Sequence, residues 1–298
     1  MTPGIILAKI GRRYFRRFPS ARNDLFVRGH FRFLCPDIEL LSWSNEGFFI
    51  YASPRDYISF RIYFFGSYDP QMTDFIKAHV REGAVCWDIG SERGWFSLLC
   101  GKLVGPSGQV HSFEPFHPNF SKLINNIKKN KFDWVIPNNV AISDVNSFTY
   151  FVPPSDEITK NLDYLNDCSG VGYLADTPQD NSFEVETVTI DDYSERIDLT
   201  RLDFMKIDIE GSEMSALKGG SKTISRFRPI IVIEYNQMTA RRANYTVEDL
   251  DNLLDSFDYD RYTFGDVLRR VRLEDFVNIP EEQFVFNVYC FPRSRSTQ

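Results

Sequence analysis

"AVCWDIGSERGWFSLLCGK", residues 84 to 102, governs how the rest of the chain is read. A short apolar run ends at Asp88, Gly90 and Gly94 follow around three other residues, and an apolar pattern resumes at once. The first run reads as a buried strand and the second as a helix, so the glycines mark a strand-to-helix turn. Without a Cβ, glycine lets the backbone bend sharply and come close to a ligand. In an open parallel sheet small molecules bind at such turns, outside the carboxyl ends of the strands. The spacing is G-x-x-x-G rather than G-x-G-x-x-G, which disfavours a nicotinamide dehydrogenase.

The alternation extends on both sides of this stretch. Helices are predicted over 70–82, 95–104, 117–130 and 212–227, and strands over 84–90, 109–115, near 139–143, over 204–210 and over 229–235. Mostly apolar strands separated by helices predict an α/β fold, a parallel sheet with helices on both faces. Thr246 can cap a helix over 247–257, and strands at 261–264 and 284–291 predict a closing antiparallel hairpin. Residues 153–182 are polar, contain Gly170 and Gly172, and read as a lid-like insertion. Upstream, residues 36–65 are aromatic and β-leaning around a turn at Asn45 to Gly47, predicting a small hairpin. The expected organisation is an appendage over 1–66 followed by a main domain over 67–298.

Composition narrows the function classes. With 43% hydrophobic and 25% charged residues the chain matches a globular protein, which sets aside disorder and coiled coil. The net charge of -7 hides an asymmetry: residues 1–33 hold eight Lys/Arg against Asp24, or +7, leaving -14 for the remainder. An acidic body argues against nucleic-acid binding, while the basic arm can meet an anionic partner. Five dispersed cysteines without a C-x-x-C pair read as reduced thiols, and no run is long and apolar enough to span a bilayer. A cytoplasmic location, peripheral at a membrane surface if the arm attaches there, is the expectation.

On a helical wheel, residues 6–18 place Ile6, Leu7, Ile10, Tyr14, Phe15 and Phe18 on one side, and Lys9, Arg12, Arg13, Arg16 and Arg17 on the other. Such a helix either attaches to an anionic membrane or partner, or packs on its own domain or a dimer mate with its arginines in water. An Arg-rich, acid-poor start also leaves an organelle transit peptide open.

The candidate chemistry lies at the strand ends. Glu114 ends the second strand, where a carboxylate can accept both hydrogen bonds of a ribose diol; with the glycine turn, this specifies a nucleoside-bearing cofactor. In "FMKIDIEGSEMSALKGG", Lys206, Asp208 and Glu210 alternate with Met205, Ile207 and Ile209, and Glu213 begins the next helix. Three charges on one strand face are costly to bury alone, so they either meet a cleft or pair with one another. His111 and His117 read as structural.

The chain resembles the FkbM-type S-adenosylmethionine-dependent methyltransferases. The likeness rests on "FFGSYDPQMTDFIKAHVREGAVCWDIGSERGWFSL", "GQVHSFEPFHPNFSKLINNIKKN", "NNVAISD", "VETVTIDDY" and "DFMKIDIEGSEMSALKGG", in that order. It implies a Rossmann-like, seven-stranded methyltransferase sheet with an antiparallel last strand. It also implies that Asp88, Gly90 and Gly94 surround the methionyl part of S-adenosylmethionine, that Glu114 holds its ribose and that Ala141 lies near the adenine. Asp208, Glu210 and Glu213 would border the methyl-transfer site. Where such proteins have Gly-Ala-Asn-x-Gly, this chain has Gly90-Ser91-Glu92-Arg93-Gly94, a departure at Glu92.

The implied activity is O-methylation of a hydroxyl on a glycan or secondary metabolite; the alternative is a methyltransferase-fold binding module without catalysis. An oxygen-rich cluster could take magnesium, but no ligand spacing indicates a metal. A nucleic-acid amino methyltransferase would need an Asn/Asp-Pro-Pro-aromatic motif after the fourth strand, and the one Pro-Pro pair is Pro153-Pro154.

Overall fold

Gly90 and Gly94 do sit between a strand and a helix, with φ of 82° and 92°, the left-handed region that favours glycine. The structure, a computed structural model, describes residues 2–56, 59–153, 172–264, 268–271 and 285–294. In chain order the elements begin with α1 (Pro3–Arg17), α2 (Ala21–Gly29), β1 (Leu40–Trp43), β2 (Phe49–Ala52), α3 (Ser59–Phe65) and α4 (Pro70–His79). The α/β alternation follows: β3 (Val85–Ile89), α5 (Trp95–Val104), β4 (Gln109–Phe113), α6 (His117–Asn130) and β5 (Val135–Asn138). Next come β6 (Ala141–Ser143), β7 (Ser147–Val152), β8 (Tyr173–Ala175), β9 (Phe183–Thr189) and α7 (Ile190–Arg196). The chain continues through β10 (Phe204–Ile207), α8 (Glu213–Lys218), α9 (Ser221–Phe227), β11 (Ile230–Asn236), α10 (Gln237–Arg242) and α11 (Val247–Ser256). It ends with β12 (Tyr259–Phe264), β13 (Leu268–Arg270) and β14 (Val285–Pro292).

The main sheet has the order β13-β12-β14-β11-β10-β3-β4-β5. Its strands from β11 to β5 run parallel, and β14 is antiparallel to both β11 and β12. The closing hairpin is therefore present, and β13 adds a short eighth strand to the seven expected. From β3 the chain moves outward through β4 and β5; β10 and β11 lie on the other side. The crevice between the carboxyl ends of β3 and β10 is thus the topological switch point, where open α/β sheets bind ligands.

Side chains alternate across the sheet. Cys86, Val110, Phe204 and Val232 join α4, α5 and α6 in one core, while Trp87, Ile89, Met205 and Ile231 join α7 to α11 in the other. The first core also takes Ala8, Phe15, Val27, Ile50, Ile62 and Phe64, so side chains of the first sixty-odd residues pack on this face. The expected hairpin is β1–β2, with Trp43 opposite Phe49. Residues 59–65, read as β-leaning, form α3 instead: "SFRIYFF" buries five of its residues and needs no alternating face.

Three further expectations are corrected. The segment 212–227 is two helices, because Gly219 and Gly220 let the chain break and pack closely. A Cβ on Gly219 would lie 2.2 Å from the Ser143 carbonyl oxygen. The strand beside β4 is 135–138, not 139–143; Pro137 is tolerated there because β5 is the sheet edge. Residues 141–143 pair with β9 in a separate four-stranded sheet of order β6-β9-β7-β8. Of the lid-like stretch 153–182, residues 154–171 lie outside the described residues; around it, β7 and β8 pair antiparallel.

The orientation of α1 is the third. Its buried residues are Ala8, Gly11 and Phe15, while Ile6, Ile10, Tyr14 and Phe18 are exposed. Two arginines turn inward: Arg12 donates to the Leu41 carbonyl, and Arg16 to the carbonyls of Trp43, Ile62 and Tyr63 and to Ser42 Oγ. The last carbonyls of a helix have no intrahelical donor, and Arg16 supplies one for α3. At the other end of the chain, Thr246 caps α11 as expected, and Asp249 completes a capping box with it.

Alanine favours a helix over glycine by up to about 1 kcal/mol, so propensity alone makes Gly219→Ala stabilising. The contact with Ser143 reverses the sign: urea unfolding should show a loss of about 1–3 kcal/mol.

Candidate active site

Lys206 stands at the centre of the switch point, opposite Asp88 in the register of β10 and β3. Its ammonium donates to the Gly90 carbonyl at 2.8 Å, and lies 3.2 Å from Asp208 and 3.6 Å from Asp88 Oδ1. Burial alone would lower its pKa, but Asp208 and Asp88 outweigh that and hold it above the usual lysine value. Asp88 is 2% exposed and its Oδ2 accepts from Ser97 at 2.5 Å, with Ser112 donating to Ser97 in turn. Burial raises the Asp88 pKa against the pull of Lys206 and Ser97. Asp88 therefore anchors the strand ends from inside the sheet.

The turn after β3 is tied at nearly every amide. Gly90 and Ser91 donate to the Phe113 carbonyl, Gly94 to that of Ser91, and Glu92 to Glu114 Oε2 at 2.8 Å. A Cβ on Gly90 would fall 1.9 Å from the Asp208 carbonyl oxygen, so the turns after β3 and β10 touch there. Glu92 has a φ of 49°, a left-handed position that asparagine tolerates better than glutamate. Its carboxylate lies 3.3 Å from Arg93, which is buried and also pairs with Glu39 and Asp56. The charge introduced at this departure is thus met by the residue beside it.

Glu114 is 5% exposed; Oε1 accepts from the Phe116 amide at 2.9 Å while Oε2 takes Glu92. Burial pushes its pKa up to about 7, against those two bonds. Each oxygen keeps a second lone pair, so the carboxylate can still accept from a diol. The glycine turn, Glu114 and the start of α5 converge at one edge, and these residues fit the nucleoside-bearing donor that the resemblance implies. Ala141 is buried in β6, opposite Thr187.

The remaining acids divide. Asp208, Glu210 and Glu234 are half-buried, with carboxylate oxygens within 4.8 Å of one another, close enough to hold a cation. Burial, then Glu210, Asp208 and Glu213, raises the Glu234 pKa well above the usual carboxyl range. Glu213 is elsewhere: it is buried, Oε1 accepts from the Ile209 amide, and Oε2 accepts from Gly211 and from the Tyr245 hydroxyl. Its place is behind the turn that carries Glu210, which it positions.

Glu234, Tyr68 and Asp69 escaped the sequence reading. Burial raises the Tyr68 pKa, and the negative charges of Glu92, Asp208, Asp69 and Glu234 add to it. Asp69 caps α4 through the Met72 amide and accepts from Asn287 at 3.2 Å. His111 is structural: buried in β4, its Nδ1 lies 2.8 Å from the Tyr193 hydroxyl, and burial lowers its pKa to about 4. A depression of about 480 Å³ lined by Asp191, Asp198, Thr223 and Arg226 shares none of these residues.

A carboxyl whose pKa is raised by folding binds more protons folded than unfolded, so stability is highest below the unfolded pKa and falls as pH rises through the folded one. For Glu114 that window runs from the ordinary carboxyl value of 4.5 to about 7, and Asp88, Glu213 and Glu234 are shifted in the same sense. Denaturant midpoints should fall across this window, and Glu114→Gln should flatten the fall. An identical slope in the variant would refute the assignment.

The chain is 26% identical over 180 residues to the 2-O-methyltransferase NoeI of Sinorhizobium fredii, covering 55% of this chain and 70% of that protein. It is 25% identical over 151 residues to the hexuronic acid methyltransferase AglP of Haloferax volcanii, covering 51% and 56%. A crystal structure of the methyltransferase FkbM from Methylobacillus flagellatus KT aligns with a TM-score of 0.43 at 16% identity, over 79% of this chain and 53% of that one. The model of the methyltransferase FkbM domain matches residues 88–261, from the buried Asp88 through the turn of β10 to β12. With more than half of its length matched, and the site inside that span, the chain belongs to the FkbM methyltransferase family.

Proposed function

We propose that this protein is an S-adenosylmethionine-dependent O-methyltransferase acting on a hydroxyl of a glycan or secondary metabolite. The observation that carries the reading is the convergence at one sheet edge of the glycine turn, Glu114 and the cluster Asp208, Glu210 and Glu234. The names of NoeI and AglP, a 2-O-methyltransferase and a hexuronic acid methyltransferase, support the acceptor class.

The donor supplies an electrophilic methyl group on a sulfonium. The work left to the protein is to hold a hydroxyl in line and to accept its proton. Glu114 offers its remaining lone pairs to the ribose diol, and the turn from Gly90 to Gly94 bounds the methionyl end. Asp208, braced by Lys206 at 3.2 Å, is the first candidate to take the hydroxyl proton, with Glu210 beside it. Glu234 keeps its proton to higher pH than an ordinary carboxyl, which suits it to donate a hydrogen bond to the acceptor oxygen. The alternative of a binding module rests on the charge of Glu92 and on the basic arm, and the pairing with Arg93 weakens the first ground.

Titration calorimetry with S-adenosylmethionine, paired with labelled methyl transfer into oligosaccharide acceptors, tests the reading. The wild type should bind saturably and transfer label. Asp208→Asn should bind within a few-fold but transfer slower by on the order of 10²–10⁴. No binding at millimolar ligand would refute the function, and unchanged transfer would refute the role of Asp208.

A further inference from the structure

The outward face of α1 takes no part in methyl transfer. Ile6, Ile10, Tyr14 and Phe18 recur at every fourth position and are between 46 and 62% exposed. Lys9, Arg13 and Arg17 are exposed too, and at about 100° per residue they lie immediately beside this row. The opposite side is fixed inward by Ala8, Gly11, Phe15, Arg12 and Arg16. On the next helix, α2, Arg22, Leu25 and Phe26 are exposed as well. The acid of this region, Asp24, is bonded to Arg61 at 2.8 Å.

We infer that this face rests on an anionic lipid surface. The apolar row enters the headgroup boundary, and Lys9, Arg13 and Arg17 beside it meet lipid phosphates. Three arguments select this occupant. A second copy docked by a two-fold axis would set the same cations against one another. A folded acidic partner would need a groove for a convex helix, which a lipid surface does not. The remainder of the chain, at -14 against the +7 of residues 1–33, is repelled by the same surface, so attachment is confined to this face and orients the molecule. No helix among the described residues is long and apolar enough to cross a membrane, so the contact is peripheral.

The test is co-sedimentation of the full chain with phosphatidylcholine vesicles, with and without roughly one-third phosphatidylserine, at low and high salt. Binding should require the anionic lipid and weaken with salt. Ile10→Glu with Tyr14→Glu should lower the partition coefficient at least about tenfold, and Arg13→Gln should lower it about fivefold. These positions are exposed, so an unchanged thermal midpoint verifies that each variant is folded. Equal sedimentation with neutral vesicles, or a double variant that binds like the wild type, overturns the inference. So does self-association in analytical ultracentrifugation that the double variant abolishes, because the face would then belong to a second copy.

Discussion

A lysine ammonium buried at the end of a parallel sheet organises this protein. Removing a charge from water costs several kcal/mol, so Lys206 is tolerable only where its surroundings return that energy. They do so from three segments: Asp88 on the neighbouring strand, the Gly90 carbonyl in the glycine turn, and Asp208 at the exit of its own strand. Each lies at the carboxyl edge, and the one cation fixes their spacing. The turns after β3 and β10 then touch, closely enough that a Cβ on Gly90 has no room. From that contact the rest of the site follows. Glu92 is placed to give its amide to Glu114, and Asp208 is placed beside Glu210 and Glu234.

What the sequence makes legible and what it hides divide along physical lines. Most strands of the main sheet are legible because their apolar runs end at turn residues, and α11 because Thr246 can cap it. The edge strand β5 is obscured by Pro137, which argues against a strand until the sheet order shows that it is an edge. The small sheet is obscured because β7, whose residues are exposed or half-buried, has no buried face to impose an alternation. Charge misleads at α1: arginine is ordinarily a mark of exposure, yet Arg12 and Arg16 are drawn inward by carbonyls of β1 and α3 that are distant in sequence.

The same distinction holds within the site. Gly90, Gly94 and Glu114 are readable because the demand on them is local, a tight turn and a strand end. Glu213 looks like an acid at the start of a helix, and only the fold turns its carboxylate back onto the Ile209 and Gly211 amides. Glu234 comes to the acid cluster from β11, and nothing in its own neighbourhood announces it. The departure at Glu92 is resolved by Arg93, whose partners Glu39 and Asp56 lie in the first layer of the chain. That layer therefore supports the glycine turn as well as covering the sheet.

The central claim is that Lys206 holds this edge together, and unfolding free energies of Lys206→Met and of Lys206→Met with Asp88→Leu test it most directly. Leaving Asp88 buried without its counter-charge should cost roughly 3–5 kcal/mol, and replacing both partners by apolar side chains should recover much of that loss. A single variant within about 0.5 kcal/mol of the wild type would contradict the account, since a surface substitution does as little.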